Sequence, residues 1–264
     1  AYMVCLRRTE RDSRNQFLDM RVAGMTNATI LAERKTMEAL LSRTIPQFLL
    51  GDILAWLESD RSTVISLTFE HAVIVFLRCP SVSLAASCRG GDDDERRHFD
   101  AIAELVKRYD AVLGEVNGDA REECLKIKTI GDVLLFGCGF AAAAQSAVDD
   151  ASARRGRVTA AIRATRAIGQ RLEDTWRADG SSAQIAAGIH AGPVMGGVLG
   201  EERLIFDVFG DTVNTASRIM TTSAACGGIF VSDAVREALQ TPTIPDEGDD
   251  NAVRGTAFTL GPRD

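Results

Sequence analysis

The sequence predicts an α+β fold, a ferredoxin-like α/β sandwich that is preceded by a helical linker. Two observations lead to this class. Short apolar runs typical of buried strands alternate with longer stretches of helical apolar spacing, which is a repeated βαβ pattern. The later strand patterns are typical of antiparallel pieces added to the same sheet. The strand patterns lie at residues 62–77, 124–130, 133–137, 184–189, 194–199, 228–231 and 256–260.

Helical spacing and helix breakers predict the elements between these strands. The helical patterns lie at residues 99–113, 141–176, 213–220 and 233–239, the last of them with Ser232 as its cap. Glycine and clustered charge predict a loop over residues 89–97. Gly156 predicts a break in the long helix, and Gly192 with Pro193 predicts a turn between two strands. An acidic loop is predicted over residues 242–251.

The chain is predicted to have two parts, a helical linker over residues 1–60 and one α+β domain over residues 61–264. Helical spacing in the linker stops before Pro46 and resumes in a second short helix. Five arginines lie within the first 22 residues. Such a cluster is typical of a solvated helix face, or of the cytoplasmic flank of a membrane span that precedes residue 1. The second alternative predicts a chain on the cytoplasmic side of a membrane.

Composition narrows the function classes. The chain has 264 residues, 45% of them hydrophobic and 25% charged, which is typical of a globular domain. The net charge of −7 provides no basic field for nucleic acid. The six cysteines form no CxxC pair, so we interpret them as reduced thiols, several of them buried. His190 lies inside a strand–turn motif, and we interpret it as structural.

The most informative segment is the run from Phe206 to Arg218. Its second half begins a helix, on which Asn214 and Arg218 are four residues apart and share one face. An amide and a guanidinium on one face can hold a sugar oxygen and a phosphate together. Asp207, before the turn, can accept a hydrogen bond from a base. These residues predict a nucleotide site.

This segment closely resembles the signature of class III nucleotidyl cyclases. Two further segments, at 126–132 and 188–200, resemble other motifs of the family and occur in its order and at about its spacing. The resemblance covers residues 64–260, and the helix–proline–helix pattern before it resembles the linker of membrane-bound cyclases. It implies the class III cyclase form of the sandwich, and a phosphorus–oxygen lyase that makes a cyclic nucleotide and pyrophosphate.

The resemblance implies a role for each matching residue. Lys128 and Asp207 fall on the base-reading positions, and this pair favours ATP, because adenine offers a ring nitrogen acceptor and an amino donor. Asn214 resembles the residue that orients the ribose. Arg218 resembles the one that stabilises charge on the transferring phosphate. Arg254 falls near the family's triphosphate-binding lysine, in a loop that is a few residues shorter here.

The metal positions depart from the family pattern. The family holds two Mg²⁺ (or Mn²⁺) ions on two aspartates, because these ions prefer hard oxygen ligands. Asp132 falls on the second position, at the tip of a hairpin, but Arg78 falls on the first. A guanidinium is not deprotonated in proteins. Arg78 should therefore repel an ion or pair with Asp132, and we predict that this chain alone holds no two-metal centre.

These expectations combine if the chain works in pairs. In the family each active site lies across a dimer interface, with metal aspartates from one half and the base-reading pair, Asn and Arg from the other. The chain resembles the second type of half, the C2-like half of a heterodimer or pseudo-heterodimer, whose partner holds the metals. Two alternatives remain: a non-catalytic cyclase-like module that regulates or dimerises, and the corresponding half of a guanylate cyclase. Phe209–Thr215 resembles the guanylate branch slightly more.

Overall fold

The computed structural model describes most of the chain in nine stretches. The described residues are 29–30, 32–41, 45–58, 65–79, 92–118, 124–140, 151–178, 185–200 and 203–240. The arginines near the N-terminus, Arg254 and the last predicted loop and strand lie outside them. The chain divides into two compact units, Ala1–Ser62 and Thr63–Asp264. No described helix is both long enough and apolar enough to cross a membrane.

The first unit contains the helical segments predicted around Pro46. Helix α1 covers residues 29–30 and 32–41, and α2 covers Leu50–Glu58 after a 3₁₀ turn at Gln47–Leu49. The Leu49 N–H donates to the Pro46 carbonyl at 3.0 Å, which closes that turn. Pro46 is the N-cap residue of this turn, where proline is tolerated because the N–H that it lacks would have no partner within the turn.

The second unit is built on a mixed sheet. Within the described residues the sheet has six strands, in the order β2-β3-β1-β4-β5, and β6 pairs with the first half of β4. The β4–β6 pair is parallel, and the other pairs are antiparallel. The strands are β1 Ser66–Arg78, β2 Cys124–Ile130, β3 Val133–Cys138, β4 Ala186–Leu199, β5 Ile205–Phe209 and β6 Gly228–Val231.

Helices cover both faces of this sheet, which confirms the α+β sandwich. The helices are α3 Asp92–Gly118, α4 Ala151–Ala178, α5 Asp211–Ser223 and α6 Asp233–Gln240. Alternate residues of β1 point to one face, where Val75 and Leu77 share a buried core with Tyr109 of α3 and Ile168 of α4. Helix α5 packs on the opposite face, against β4 at Gly188.

Two helix boundaries differ from the sequence prediction. Helix α3 begins at Asp92, so the loop predicted over residues 89–97 is wrong from that residue onward. The sequence at this point is Asp-Asp-Asp-Glu, and acidic residues are common at helix starts. Helix α4 runs through Gly156 without the predicted break. Burial of Val158 and Ala161 stabilises this turn, and outweighs the roughly 1 kcal/mol that a helical glycine costs.

The predicted turn at Gly192 and Pro193 is also wrong, because β4 is continuous across it. The register between β1 and β4 shifts there, so that Glu70 and His71 lie opposite Pro193. A bulge leaves local backbone groups outside the ladder, and a proline without an N–H is tolerated at such a position. The His71 carbonyl accepts instead from the Arg157 side chain of α4, at 3.3 Å.

Candidate active site

Two glycines and a threonine seat helix α5 on strand β4. A Cβ at Gly188 would come within 2.2 Å of the Met220 nitrogen and 2.4 Å of the Ala216 oxygen, so only glycine lets the helix backbone approach this closely. A Cβ at Gly192 would meet the Thr212 hydroxyl at 2.7 Å. That hydroxyl donates to the Pro193 carbonyl at 2.7 Å. The glycine-rich segment 188–200 therefore fixes the position of α5.

Asn214 and Arg218 occupy the outer face of α5. Both are exposed, four residues apart, and neither side chain has a hydrogen-bond or ion-pair partner among the described residues. The helix begins directly after Gly210, whose φ of 133° is a conformation that favours glycine. The Gly210 carbonyl accepts from the N–H groups of Val213 and Asn214, at 3.2 and 3.4 Å. The side-chain amide of Asn214 and the guanidinium of Arg218 thus lie on the same exposed face of the helix, where both are available to a ligand.

Lys128 and Asp207 meet although their strands stand at opposite ends of the sheet order. The Lys128 Nζ lies 2.6 Å from Asp207 Oδ2, and Asp207 Oδ1 accepts from the Val208 N–H at 2.9 Å. The sheet curls enough to bring β2 towards β5. Register shifts in β1 and in β2 bend it, as bulges do. The structure therefore places the two predicted base-reading residues together.

Arg78 pairs with Asp132, which is the second of the two outcomes that the sequence predicted. The Arg78 Nε donates to Asp132 Oδ2 at 3.0 Å, and the Asp132 side chain is only 10% exposed. Two hydrogen bonds fix the hairpin tip, because the backbone carbonyl of Asp132 accepts from the Cys79 N–H and from the Tyr109 hydroxyl, both at 3.3 Å. Gly131, at φ 61°, makes the tight turn.

Tyr109 was missed from the sequence. Burial, with smaller contributions from Cys79 and Asp132, raises the pKa of Tyr109 far above its usual value, so the phenol stays protonated and donates its proton. The residue lies in the apolar stripe of α3 between Leu105 and Val112. A tyrosine in such a stripe needs a buried hydrogen-bond acceptor for its hydroxyl. Its position in the stripe could therefore have indicated from the sequence that Tyr109 makes a buried polar contact.

In the part of the chain that the structure describes, the two predicted metal positions do not fit a two-metal centre. Among the described residues, no group of three or more His, Cys, Asp or Glu side chains could hold a metal ion. The Asp132 carboxylate, the one acid at a predicted metal position, is already engaged by a guanidinium that keeps its charge.

His190 has the structural role that the sequence indicated. Its Nδ1 lies 2.7 Å from the Ser232 hydroxyl oxygen. The same oxygen accepts a hydrogen bond from the Val235 N–H at 3.4 Å and so caps α6. Burial lowers the pKa of His190, and the nearby Asp211 opposes that shift. The His190–Ser232 contact therefore connects β4 to the start of α6.

An apolar surface borders Asp207. Ile205 and Phe209 flank it on the same face of β5, and their partners across the ladder are Leu199 and Met195 of β4. These four side chains are 43–55% exposed, and Ile130 at the end of β2 is exposed to a similar degree. Exposed apolar side chains that lie close together are typical of interaction surfaces.

Comparison of the sequence with models of known protein families identifies the family of this chain. The model for the adenylate and guanylate cyclase catalytic domain matches residues 70–259, which include every described residue of the candidate site. The chain belongs to this family.

Relatives of this cyclase domain occur in bacteria and in a slime mould. An adenylate cyclase of Mycobacterium tuberculosis is 26% identical over 225 residues, which are 84% of this chain and 44% of that protein. A membrane guanylyl cyclase of Dictyostelium discoideum is 44% identical over 57 residues, which are 22% of this chain and 4% of that protein. The chain thus spans less than half the length of either relative.

A solved structure shares the fold of the cyclase domain. A bacterial light-regulated adenylyl cyclase superimposes with a TM-score of 0.55 at 17% identity, over 80% of this chain and 57% of that one. At this identity the likeness establishes the fold alone, and the fold is that of a class III cyclase domain.

Proposed function

We propose that this chain is the nucleotide-gripping half of a class III cyclase, which converts ATP to cyclic AMP and pyrophosphate together with a metal-bearing partner half. The Arg78–Asp132 ion pair is the observation that carries the proposal. It removes the chain's own metal site, whereas Lys128 with Asp207 and Asn214 with Arg218 keep the chemistry of a nucleotide site.

The Lys128–Asp207 pair suits adenine. One hydrogen bond between the two groups leaves two donors on the ammonium and several lone pairs on the carboxylate. The ammonium can donate to the ring nitrogen of adenine while the carboxylate accepts from its amino group. Guanine presents a carbonyl and a ring N–H at the same edge, so both contacts would be mismatched, and the pair supports ATP over GTP.

Asn214 and Arg218 act on the reacting end of the nucleotide. The amide hydrogen-bonds the ribose and holds its 3′ oxygen towards the α-phosphate, which is a proximity effect. The guanidinium donates to the phosphate oxygens as negative charge builds up in the transition state. Both groups sit on a helix seated by Gly188, so their positions are set before the nucleotide binds. Arg254, outside the described residues, remains a candidate for the triphosphate.

The partner half is proposed to cover the apolar surface of β4 and β5. That surface lies beside Asp207, so a partner seated there would bring its own metal-binding carboxylates next to this chain's nucleotide residues. The partner is either a second polypeptide or another domain of the same one. Attachment to a membrane span outside residues 1–264, on the cytoplasmic side, also belongs to this proposal.

The test is complementation with a metal-bearing half. This chain is mixed with a cyclase half that carries both metal aspartates but lacks the Asn and the Arg, and cyclic AMP and cyclic GMP are measured with ATP and GTP. We expect cyclic AMP from the mixture and none from either half alone. The matched control is the same mixture with Arg218→Ala. A product from GTP alone would support the guanylate alternative, and no product from any mixture would support the regulatory module.

A further inference from the structure

Two buried thiols face each other at the open end of the β2–β3 hairpin. Cys124 opens β2 and Cys138 closes β3, and the two residues are direct partners in the antiparallel ladder. Their Sγ atoms lie 2.9 Å apart, and the two cysteines are not joined by a disulfide bond. Direct partners on antiparallel strands have Cα separations of about 4.5–5.5 Å, within the range that a disulfide spans.

A side chain from α3 fixes this register. The side-chain amide nitrogen (Nδ2) of Asn117 donates to the backbone carbonyl of Cys124 at 2.9 Å. The backbone N–H of Cys124 donates to the side-chain oxygen (Oδ1) of Asn117 at 2.8 Å. This two-point clamp holds the first residue of β2 opposite Cys138. The thiol pair is therefore positioned by a dedicated contact as well as by the ladder.

We propose that Cys124 and Cys138 are a site of reversible oxidation, closed to a disulfide by a peroxide. One thiolate attacks the peroxide, so that an S–O bond forms, the O–O bond breaks and the hydroxide leaves as water after it takes up a proton. The second sulfur then displaces the hydroxyl of the sulfenic acid as a second water, and the S–S bond forms. Two thiols are oxidised, and one peroxide is reduced to two waters.

Local opening controls the rate of this step. Buried thiols are less reactive than exposed ones, and both members of this pair are buried. However, β2 is an edge strand, with a partner on one side only among the described residues. Opening of its first residue exposes both sulfurs to a small oxidant. The pair should thus react more slowly than the exposed Cys226, and with a small peroxide.

The link would hold β2 in its register on β3. Lys128 lies on the same strand, four residues after Cys124, so oxidation would fix the strand that carries the base-reading lysine. This consequence rests on the proposed function, whereas the disulfide itself does not.

The experiment is peptide mapping of the folded chain after treatment with hydrogen peroxide. Remaining thiols are alkylated, the chain is unfolded and digested with trypsin, and the digest is analysed by mass spectrometry without reductant. Trypsin separates the pair, with Cys124 in peptide 122–126 and Cys138 in peptide 129–154. We expect one species that joins these peptides, two hydrogen masses below their sum, and its loss on treatment with dithiothreitol. Hydrogen–deuterium exchange over β2 should slow in the oxidised chain.

The matched control is Cys226→Ser, which should leave the linked species unchanged. Oxidation of peptide 219–236 in the unsubstituted chain reports that peroxide has reached the folded protein. If peptide 219–236 is oxidised while the other two peptides are recovered as separate alkylated thiols, the proposal is wrong. The same holds if Cys124 is linked mainly to another cysteine. Neither readout depends on cyclase activity, so failure here is distinguishable from failure of the proposed function.

Discussion

The Arg78 guanidinium lies 3.0 Å from the Asp132 carboxylate, at the two positions that the family resemblance predicts for metal ligands. Its side chain is 39% exposed, so the pair contributes little stability, on the order of 1 kcal/mol or less for a solvated ion pair. Its effect is on chemistry. A guanidinium at this distance compensates the negative charge of the Asp132 carboxylate and repels a divalent ion. The guanidinium also keeps its charge, because arginine is not deprotonated in proteins.

Lys128 offers a test of base reading. In the complementing mixture, Lys128→Ala should lower kcat/KM for ATP by about 10- to 100-fold, because a hydrogen bond to a charged group contributes roughly 1.5–3 kcal/mol. Steady-state rates with ATP and GTP provide the measurement. Lys126→Ala is the matched control, since Lys126 lies on the same strand and pairs with Asp110 instead. Equal losses in the two variants would contradict the assigned role.

His190 should make stability depend on pH. Its pKa is lowered in the folded chain, so the unfolded chain binds the proton first as the pH falls. The contribution to stability is complete above the ordinary histidine pKa of about 6.5, and is lost as the pH falls below that value. Urea unfolding at pH 7.5 and 5.5 measures it. His190→Gln should show a smaller loss between these pH values, and an unchanged loss would contradict this account.

Helix α5 packs closely against strand β4, and a substitution at Gly188 tests the importance of this contact. Gly188→Ala would drive a methyl group into the α5 backbone at 2.2–2.4 Å, and we expect a loss of about 3 kcal/mol or more, because backbone on both sides resists the shift. Asn214 and Arg218 should be displaced with the helix. Denaturant unfolding measures the change in free energy.

Gly114→Ala is the control for that substitution. Gly114 lies in α3 with open space around its Cβ position, so alanine should stabilise the helix by about 0.5–1 kcal/mol. Opposite signs for the two substitutions are the expected result. A neutral Gly188→Ala would show that α5 is not held in this way.

Most elements could be predicted from local patterns, and the exceptions have physical causes. The Ser232 cap, the hairpin with Asp132 at its tip and the helix after Gly210 all follow from local turn and capping chemistry. The continuity of β4 could not be predicted locally, because the bulge that accommodates Pro193 lies in β1, more than 100 residues earlier. The N-terminal extension of α3 was missed because acidic residues are common both in loops and at helix starts.

At the scale of the whole molecule, the site depends on the curl of the sheet. Lys128 and Asp207 are 79 residues apart and on opposite edge strands, so no local pattern predicts their contact. The family resemblance predicted only that both residues belong to one base-reading site. The exposed apolar pairs on β4 and β5 were not predicted either, because an alternating strand pattern does not show which face lacks a cover. Both features concern the surface that a partner half would bury.

We expect the cation at position 78 to prevent this chain from binding the catalytic metals by itself. The most direct measurement is isothermal titration calorimetry with Mn²⁺, carried out in parallel on the isolated chain and on its Arg78→Asp variant. We predict no stoichiometric Mn²⁺ binding by the unsubstituted chain, and binding by the variant, whose two acids can act as oxygen ligands. Binding of two ions by the unsubstituted chain, as tightly as by the variant, would contradict the claim.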